Sequence, residues 1–388
     1  MKTKKICVIT GSRSEFWLLR GLIKEINLKK EFELQLIVTG SHLSPEFGMT
    51  INNIEDDNFL INKKIEIVMS SDSDIGISKS IGLGVISFSE ALDELKPELI
   101  LILGDRYEIF AASIASMVLQ IPIAHIHGGE LTLGAIDDGI RHSITKFSHI
   151  HFPATEKYRE RIIQLGEDPK NVFNVGALGI DNIKNFNLWS KEKLEKNLGR
   201  NFLSNNLLIT YHPETIDADN YYNFSQILES LELLKETRLI FTMPNADSNS
   251  RLIIQLIKDF TYKNKNSIYF ENLGSIRYLS CLQYVDGVVG NSSSGIIEVP
   301  FFKIGTINIG DRQKGRMRCE SIIDCNPNKK EISKAISKLY SREFQTKIKK
   351  QCNPYGNGET SKKIVEILSN LNFKKLIKKN FYDILSKN

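Results

Sequence analysis

A regular alternation constrains this chain more than any other feature: short, nearly uninterrupted apolar runs separated by longer amphipathic stretches. KICVIT, LQLIVTG, LILILGD, IPIAHIHGG, IHFPAT and VFNVG read as buried strands punctuated by Gly, Ser, Thr or Pro. Between them, EFWLLRGLIKEI and EIFAASIASMVLQ carry helical spacing. Strands that are apolar on both faces and joined by helices form a parallel sheet covered on both sides. The pattern restarts after the polar stretch NLWSKEKLEKNLGRN, with NLLITYHP, RLIFTMPN, SIYFEN, VDGVVGN and KIGTINIG. At 388 residues, two cores are expected rather than one. The expected fold class is α/β with two doubly wound domains, 1–190 and 191–365, and a basic C-terminal tail, 366–388. The boundary is expected near 190–205. Ligand loops in such sheets lie at the carboxyl ends of the strands, so a single interdomain cleft lined by both halves is expected.

Composition narrows the function. Hydrophobic residues at 41% and charged residues at 25% fit a globular protein. A net charge of +5 suits an anionic small molecule. No basic stripe interleaved with aromatics appears, so no nucleic-acid partner is expected. Cys7, Cys281, Cys319, Cys325 and Cys352 form no CxxC pair and no zinc-like spacing with histidine. They read as reduced structural thiols, which points to the cytoplasm. The apolar run in MKTKKICVIT stops at Gly11-Ser12-Arg13, too short for a signal peptide, and no segment approaches about 18 consecutive apolar residues. No membrane partner is expected, and KKLIKKNFYDILSKN reads as an amphipathic terminal helix with a solvated lysine face.

Chemistry concentrates at strand ends. Gly11-Ser12-Arg13-Ser14-Glu15 leads from the first strand into a helix, where a tight turn, free backbone N–H groups and Arg13 suit a phosphate. A turn bearing a surface arginine would read the same, and the absence of GxGxxG argues against a dinucleotide cofactor. Ser292-Ser293-Ser294-Gly295 opens a second helix after a strand, with Glu298 one turn in, placed to accept ribose hydroxyls. A serine N-cap with an acid in the first turn is the plain alternative. The densest stretch holds Asp105 and Arg106 after one strand, then His125, His127 and Glu130 after the next, then Asp137, Asp138, Arg141 and His142 at a helix start. Neighbouring parallel strands bring these to one sheet edge, where carboxylates in unequal environments can act as base and acid. His212 ends the first strand of the second half, Asn245 and Asp247 end its second, and Asp311-Arg312-Gln313-Lys314-Gly315-Arg316 follows its last clear strand, either as a diphosphate clamp or as a solvated loop. The strings Asp72-Ser73-Asp74 and Asp217-Ala218-Asp219 sit in polar, turn-rich segments and are not read as metal sites.

Taken in order, GSRSE, VTGSH, GDRYE, HIHGGE, DDGIRHSITK, YHPET, GNSSSGIIEVP and INIGDRQKGR resemble the hydrolysing UDP-N-acetylglucosamine 2-epimerases of bacterial sialic-acid synthesis. They also resemble the relatives acting on N,N'-diacetylbacillosamine for legionaminic acid. The resemblance spans nearly the whole chain. It implies two Rossmann-like domains in a GT-B-like arrangement, with the nucleotide held mainly by the C-terminal one. It further implies Ser292, Ser293 and Ser294 at the diphosphate, Glu298 at the ribose, and Arg13 and Arg312 near the phosphates. Arg106 and Gly295 join the nucleotide-binding set, with Asn245 near the nucleotide and His212 at the diphosphate or leaving oxygen. Asp105 and either Asp137 or Asp138 match the catalytic acids, with Arg141 beside them. Many members have Glu where His127 stands, so either His127 or Glu130 takes the role of that carboxylate.

The chemistry expected is elimination of the nucleoside diphosphate coupled to removal of the C2 proton, followed by hydration of the 2-acetamidoglycal. Asp105 is the leading base, with Asp137, Asp138, Glu130 or His127 as acid and water-activating candidates. Nucleotide sugar and water are the expected partners, no metal or redox cofactor is required, and a homodimer is expected. IVMSSDSDIGISKSIGLG resembles the diacetylbacillosamine branch more than the N-acetylglucosamine branch; whether the base is uridine or guanosine stays open. The rivals are a non-hydrolysing 2-epimerase, whose relatives carry a GTRPE-like loop, and a GT-B glycosyltransferase, which needs an acceptor.

Overall fold

The computed structural model describes residues 3–45, 48–69, 73–132, 136–212, 220–244, 250–271 and 273–384. The chain packs as two units, Met1–Asn182 with Tyr355–Asn388, and Ile183–Pro354. In the first, strands β1 (Lys4–Thr10), β2 (Phe32–Thr39), β3 (Lys63–Ile65), β4 (Leu99–Leu103), β5 (Ile123–Ile126) and β6 (Ile150–Phe152) alternate with helices. These are α1 (Arg13–Leu28), α2 (Ile51–Asp56), α3 (Asp74–Leu95), α4 (Tyr107–Val118), α5 (Ile136–Phe147), α6 (Glu156–Gln164) and α7 (Leu178–Asn185). The second unit contains β7 (Asn205–Thr210), β8 (Thr237–Thr242), β9 (Ser267–Phe270), β10 (Gly287–Gly290), β11 (Gly305–Ile309) and β12 (Ile322–Cys325). Its helices are α8 (Lys191–Leu198), α9 (Asn220–Leu231), α10 (Ser250–Lys263), α11 (Gly274–Cys281), α12 (Ser293–Ile297), α13 (Lys329–Leu339) and α14 (Arg342–Lys350). Helix α15 (Thr360–Asn370) returns to the first unit.

Both sheets are parallel, ordered β3-β2-β1-β4-β5-β6 and β12-β11-β10-β7-β8-β9. Counted from each unit's first strand, both read 3-2-1-4-5-6, the doubly wound order with its switch point between strands 1 and 4. Period-two burial explains the layers. Ile6 and Val8 of β1 enter a core shared with α1 and α15, while Cys7 and Ile9 enter a second core shared with α3, α4 and α5. Helix α3 is long and apolar enough to cross a membrane by length and composition alone; here it buries Phe88, Ala91 and Leu92.

Several expectations need correction. The stretch 355–365 belongs to the first unit, not the second, and 366–388 is not a free tail. Ile364, Val365 and Leu368 of α15 are buried in the first unit's core, and Asp181 caps that helix by accepting from the Thr360 and Ser361 amides at 2.8 and 2.5 Å. The expected amphipathic terminal helix is absent among the described residues; beyond a short 3-10 turn at Phe373–Lys375 the segment has no regular secondary structure. VFNVG makes only a single bridge, Val172 to His151, rather than a strand. The polar stretch chosen as the boundary holds α8, capped by Ser190 and by Gly199 at φ +67°, and the change of unit falls earlier, between Asn182 and Ile183.

Candidate active site

At the switch point of the first sheet the loops leaving β1, β2 and β4 meet. Gly40 has φ +60°, and a Cβ there would collide with the Glu108 side chain and the Gly11 carbonyl. In GSRSE, Ser12 accepts from the Glu15 amide at 3.4 Å, and the Glu15 carboxylate turns back to accept from the Gly11 amide at 2.7 Å. This is a capping box, so part of the motif builds the turn itself. Burial, reinforced by the negative charge of Glu108, pushes the Glu15 carboxyl up to about 8, with Arg106 opposing. Arg106 donates to the fully buried Glu108 at 2.8 Å. Its guanidinium, expected at the nucleotide, is engaged there. Arg13 stands exposed at the first position of α1.

One strand over, β4 ends at Gly104, whose φ of +79° turns the chain so that Asp105 follows directly. The Asp105 carboxylate is ion-paired with Arg141 of α5. Arg141 is buried and also donates to the Glu130 carbonyl at 3.0 Å, to Thr132 Oγ1 at 2.8 Å and to Asp138 Oδ1 at 3.4 Å. Asp138 further accepts from the Thr132 amide at 2.7 Å and lies 3.6 Å from His142 Nε2. His127 Nδ1 lies 3.5 Å from Glu130 Oε1. The structure thus gathers Asp105, Glu130, Asp138, Arg141, His127 and His142 in one network around a single guanidinium. Asp137 lies in the first turn of α5, close enough to act electrostatically on Asp105. Burial raises the Asp105 carboxyl above its ordinary value, Arg141 opposes this, and Asp137 and Glu130 raise it further. A carboxylate in that condition is a stronger base than a solvated one.

Backbone strain accompanies the cluster. His127 sits at φ +63°, a left-handed conformation uncommon outside glycine, held by its amide donating to the Phe152 carbonyl at 3.1 Å. His125, fully buried, bonds the Gly104 carbonyl through Nε2 at 2.7 Å. Burial lowers its pKa to about 3, so the ring is neutral and Nε2 carries the proton it donates. It thereby fixes the peptide that presents Asp105.

In the second unit, Asn291 organises the corresponding switch point between β7 and β10. Its side chain exchanges two 2.8 Å bonds with the His212 backbone, and its carbonyl accepts from Arg312 at 3.2 Å and Gln313 at 2.9 Å. The loops after β7, β10 and β11 are therefore tied to one buried residue. Gly290 is required where it stands, at φ +140°, because a Cβ would overlap the Thr210 carbonyl. Of the three serines, Ser292 caps α12, accepting from the Ser294 amide at 3.4 Å. Ser294 Oγ accepts from Tyr278 at 2.8 Å and donates to Glu298. Among the described residues the Ser293 hydroxyl has no hydrogen-bond partner. Burial raises the Glu298 carboxyl, and the Ser294 bond opposes it. Gly295 lets α12 pack on β11, since a Cβ there would press on Thr306. Lys314 pairs with Asp311 on the surface at 3.1 Å, so the cationic run divides: Arg312 faces the loop and Lys314 faces away. Asn245, Asp247, Asp72, Asp217, Ala218 and Asp219 lie outside the described residues. Asp74 occupies the first turn of α3 behind its N-cap Ser73, an ordinary place for an acid.

Sequence reasoning missed His125 as a support for Asp105, Thr132 as a partner of Arg141, and Asn291 and Gln313 as loop organisers. For Asn291 a signal was present: an asparagine directly after the strand-ending Gly290, where only a side chain that both donates and accepts can bridge two loops.

Two doubly wound units, one carrying a carboxylate and guanidinium network and the other a serine-capped helix start near Arg312, define a two-domain α/β protein. Comparison with known proteins narrows the class. The chain belongs to the UDP-N-acetylglucosamine 2-epimerase family, whose model matches residues 24–369. It is 46% identical over 387 residues to the GDP/UDP-N,N'-diacetylbacillosamine 2-epimerase (hydrolyzing) of Campylobacter jejuni, covering 99% of this chain and 100% of the relative. It is 40% identical over 387 residues to the polysialic acid biosynthesis protein P7 of Escherichia coli, covering 98% of each. Among solved structures it resembles the UDP-GlcNAc 2-epimerase of Neisseria meningitidis bound to UDP-GlcNAc, with TM-score 0.75 and 20% identity, over 94% of this chain and all of that one. The family resemblance and the two-domain α/β fold expected from the motifs both hold.

Proposed function

We propose that this chain is a hydrolysing nucleotide-sugar 2-epimerase, a hydrolase of the O-glycosyl bond that releases a free sugar inverted at C2. The observation that carries the reading is Asp105: a half-buried carboxylate with a raised pKa, held by a guanidinium that also binds Asp138, on a chain of the 2-epimerase family. The C2 proton of a 2-acetamido sugar is too weakly acidic to be removed alone. Asp105 takes it while the C1–O bond breaks and the bonding pair leaves with the nucleoside diphosphate. Arg13, Arg312, His212, the backbone donors of Ser292, Ser293 and Ser294 and the Ser293 hydroxyl receive that charge, each such donor contributing on the order of 10²–10³-fold. Asn245 and Glu298 hold the nucleoside. The product is a 2-acetamidoglycal. Water then adds hydroxide to C1 and a proton to C2 on the opposite face. Asp138, with His142 beside it, and the His127–Glu130 pair supply the acid and activate the water, with Asp137 nearby.

The substrate is a UDP- or GDP-linked N,N'-diacetylbacillosamine, giving 2,4-diacetamido-2,4,6-trideoxymannose for legionaminic acid and a bacterial surface polysaccharide; full-length similarity to the Campylobacter protein supports this choice. UDP-N-acetylglucosamine giving N-acetylmannosamine for sialic acid is the second reading, favoured by the Escherichia coli relative. Incubation with each nucleotide sugar in D2O, followed by proton NMR, tests both. Release of nucleoside diphosphate with deuterium at C2 is expected; an intact sugar nucleotide would overturn the hydrolytic step. A kcat/KM preference for UDP-N-acetylglucosamine would overturn the substrate.

The enzyme acts as a homodimer in the cytoplasm. Ile75, Leu83 and Ile86 of α3 and Met117 and Val118 of α4, two helices packed against each other, are exposed apolar side chains on the first unit that a second copy would cover. The five free cysteines suit a reducing compartment. Light scattering is expected to give twice the chain mass, and Ile86→Lys to give the monomer.

A further inference from the structure

We infer that Lys379, on the returning C-terminal segment, is a positioning residue for α5, the helix that brings Asp138 and Arg141 to Asp105. Lys379 Nζ donates to the carbonyls of Lys146 and Ser148 at 2.7 and 2.6 Å. These lie at the C-terminal end of α5, where carbonyls lack partners within the helix and a cation meets the negative end of its dipole. The same ammonium reaches Glu167 at 2.7 Å. Glu167 is almost fully buried and is also held by Lys146 at 2.6 Å and by His151 at 3.0 Å. Burial works against its charge, but these three bonds hold its carboxyl down, to about 2.

The surface that receives the segment is shaped for it. Gly166 has φ +88°, and a Cβ there would overlap the ring of Phe381. The Tyr382 amide donates to the Gly166 carbonyl at 2.9 Å, and the Lys146 ammonium stands 4.9 Å from the centre of the Phe381 ring. Two residues of the α5 end, Lys146 and Ser148, are thus clamped from outside by the last part of the chain. Helix α5 spans 12 residues, about 18 Å as a rigid rod. Arg141 and Asp138 sit toward its other end, and Thr145 Oγ1, on the turn between, bonds the Arg141 carbonyl at 3.1 Å. A tilt admitted at the clamped end therefore displaces the groups that hold Asp105. The anchor continues across the sheet, because His151 of β6 is the register partner of His125 of β5, whose ring fixes the Gly104 carbonyl.

This inference rests on the proposed 2-epimerase reaction, and the experiment separates the two. Full-length Lys379→Met, Lys379→Arg and the neighbouring exposed Lys378→Met are compared with wild type for kcat, KM and UDP affinity, and hydrogen exchange is followed over residues 136–147. Lys379→Met is expected to lose about 10-fold or more in kcat, since an error of 1 Å in placement can cost about 10²-fold. UDP affinity stays unchanged, exchange over α5 accelerates, Lys379→Arg restores most of the rate, and Lys378→Met behaves as wild type. A Lys379→Met protein with wild-type kcat, or with unchanged exchange over 136–147, overturns the inference. So does a loss in which kcat and UDP affinity fall together, which would mark general unfolding. If wild type hydrolyses no nucleotide sugar, the proposed function fails, and the exchange result alone judges the role of Lys379.

Discussion

Single residues carry the acid–base argument. Asp105→Asn is expected to lower turnover by about 10²–10⁴-fold, the usual worth of a positioned base, while UDP affinity persists because the groups proposed to grip the nucleotide are on other loops. The base must be ionised to act, and its pKa is raised, so kcat/KM should rise with pH through an acid limb above the 3.8 of an ordinary aspartate. Arg141→Gln removes the cation that opposes the shift and should move that limb higher still; a limb that stays or falls would remove Arg141 from this role. Glu15 gives a separate test, in stability. Its carboxyl shifts from an ordinary 4.5 to about 8, so between those values the folded state keeps a proton the unfolded chain has released. Stability from this group is full below about 4.5 and declines as pH rises through 8. Glu15→Gln should flatten that slope in denaturant titrations across the same window. The carboxylates and Arg141 were legible because they crowd the ends of two successive apolar runs. The structural employment of Gly295 was not, since Thr306 meets it only through tertiary packing; Arg106 and Glu15 bond near neighbours in sequence, Glu108 and Gly11, which the motif reading passed over.

At the level of elements, the long buried strands declared themselves because every residue of LILIL in β4 is buried and apolar. Strands β3 and β12 did not. Each lies at an edge of its sheet, is short, and carries polar residues such as Lys63, Lys64 and Asp324, so periodicity had little to register. VFNVG failed in the opposite sense, being apolar because it runs beside β6 and buries Val175 in the core while making only one bridge. Helix α15 was assigned to the wrong unit because its apolar stripe announces burial without saying against what. Its attachment is testable through its cap: Asp181→Ala leaves two amides without their carboxylate and should cost about 1–2 kcal/mol, read as a lowered midpoint of thermal unfolding.

For the whole molecule, the two units share one strand order yet differ in how they are closed. The second is continuous in sequence, Ile183–Pro354, with its own core around Leu207, Phe241 and Ile307. Expressed alone, 183–354 should unfold cooperatively and bind UDP, as calorimetry would report. A fragment ending at 182 lacks Ile364, Val365, Leu368 and Phe373 from its core and should not fold without 355–388 supplied in trans.

That closure has a temporal side. A chain made from its amino terminus usually completes its first domain first. Here the unit begun earliest must wait, its β1 to β6 already synthesised, while the whole of its neighbour emerges and folds. Only when α15 and Lys379 leave the ribosome can the first unit be sealed. The second unit is therefore the one assembled first, and α15, translated after it, completes the unit whose strands were made earliest.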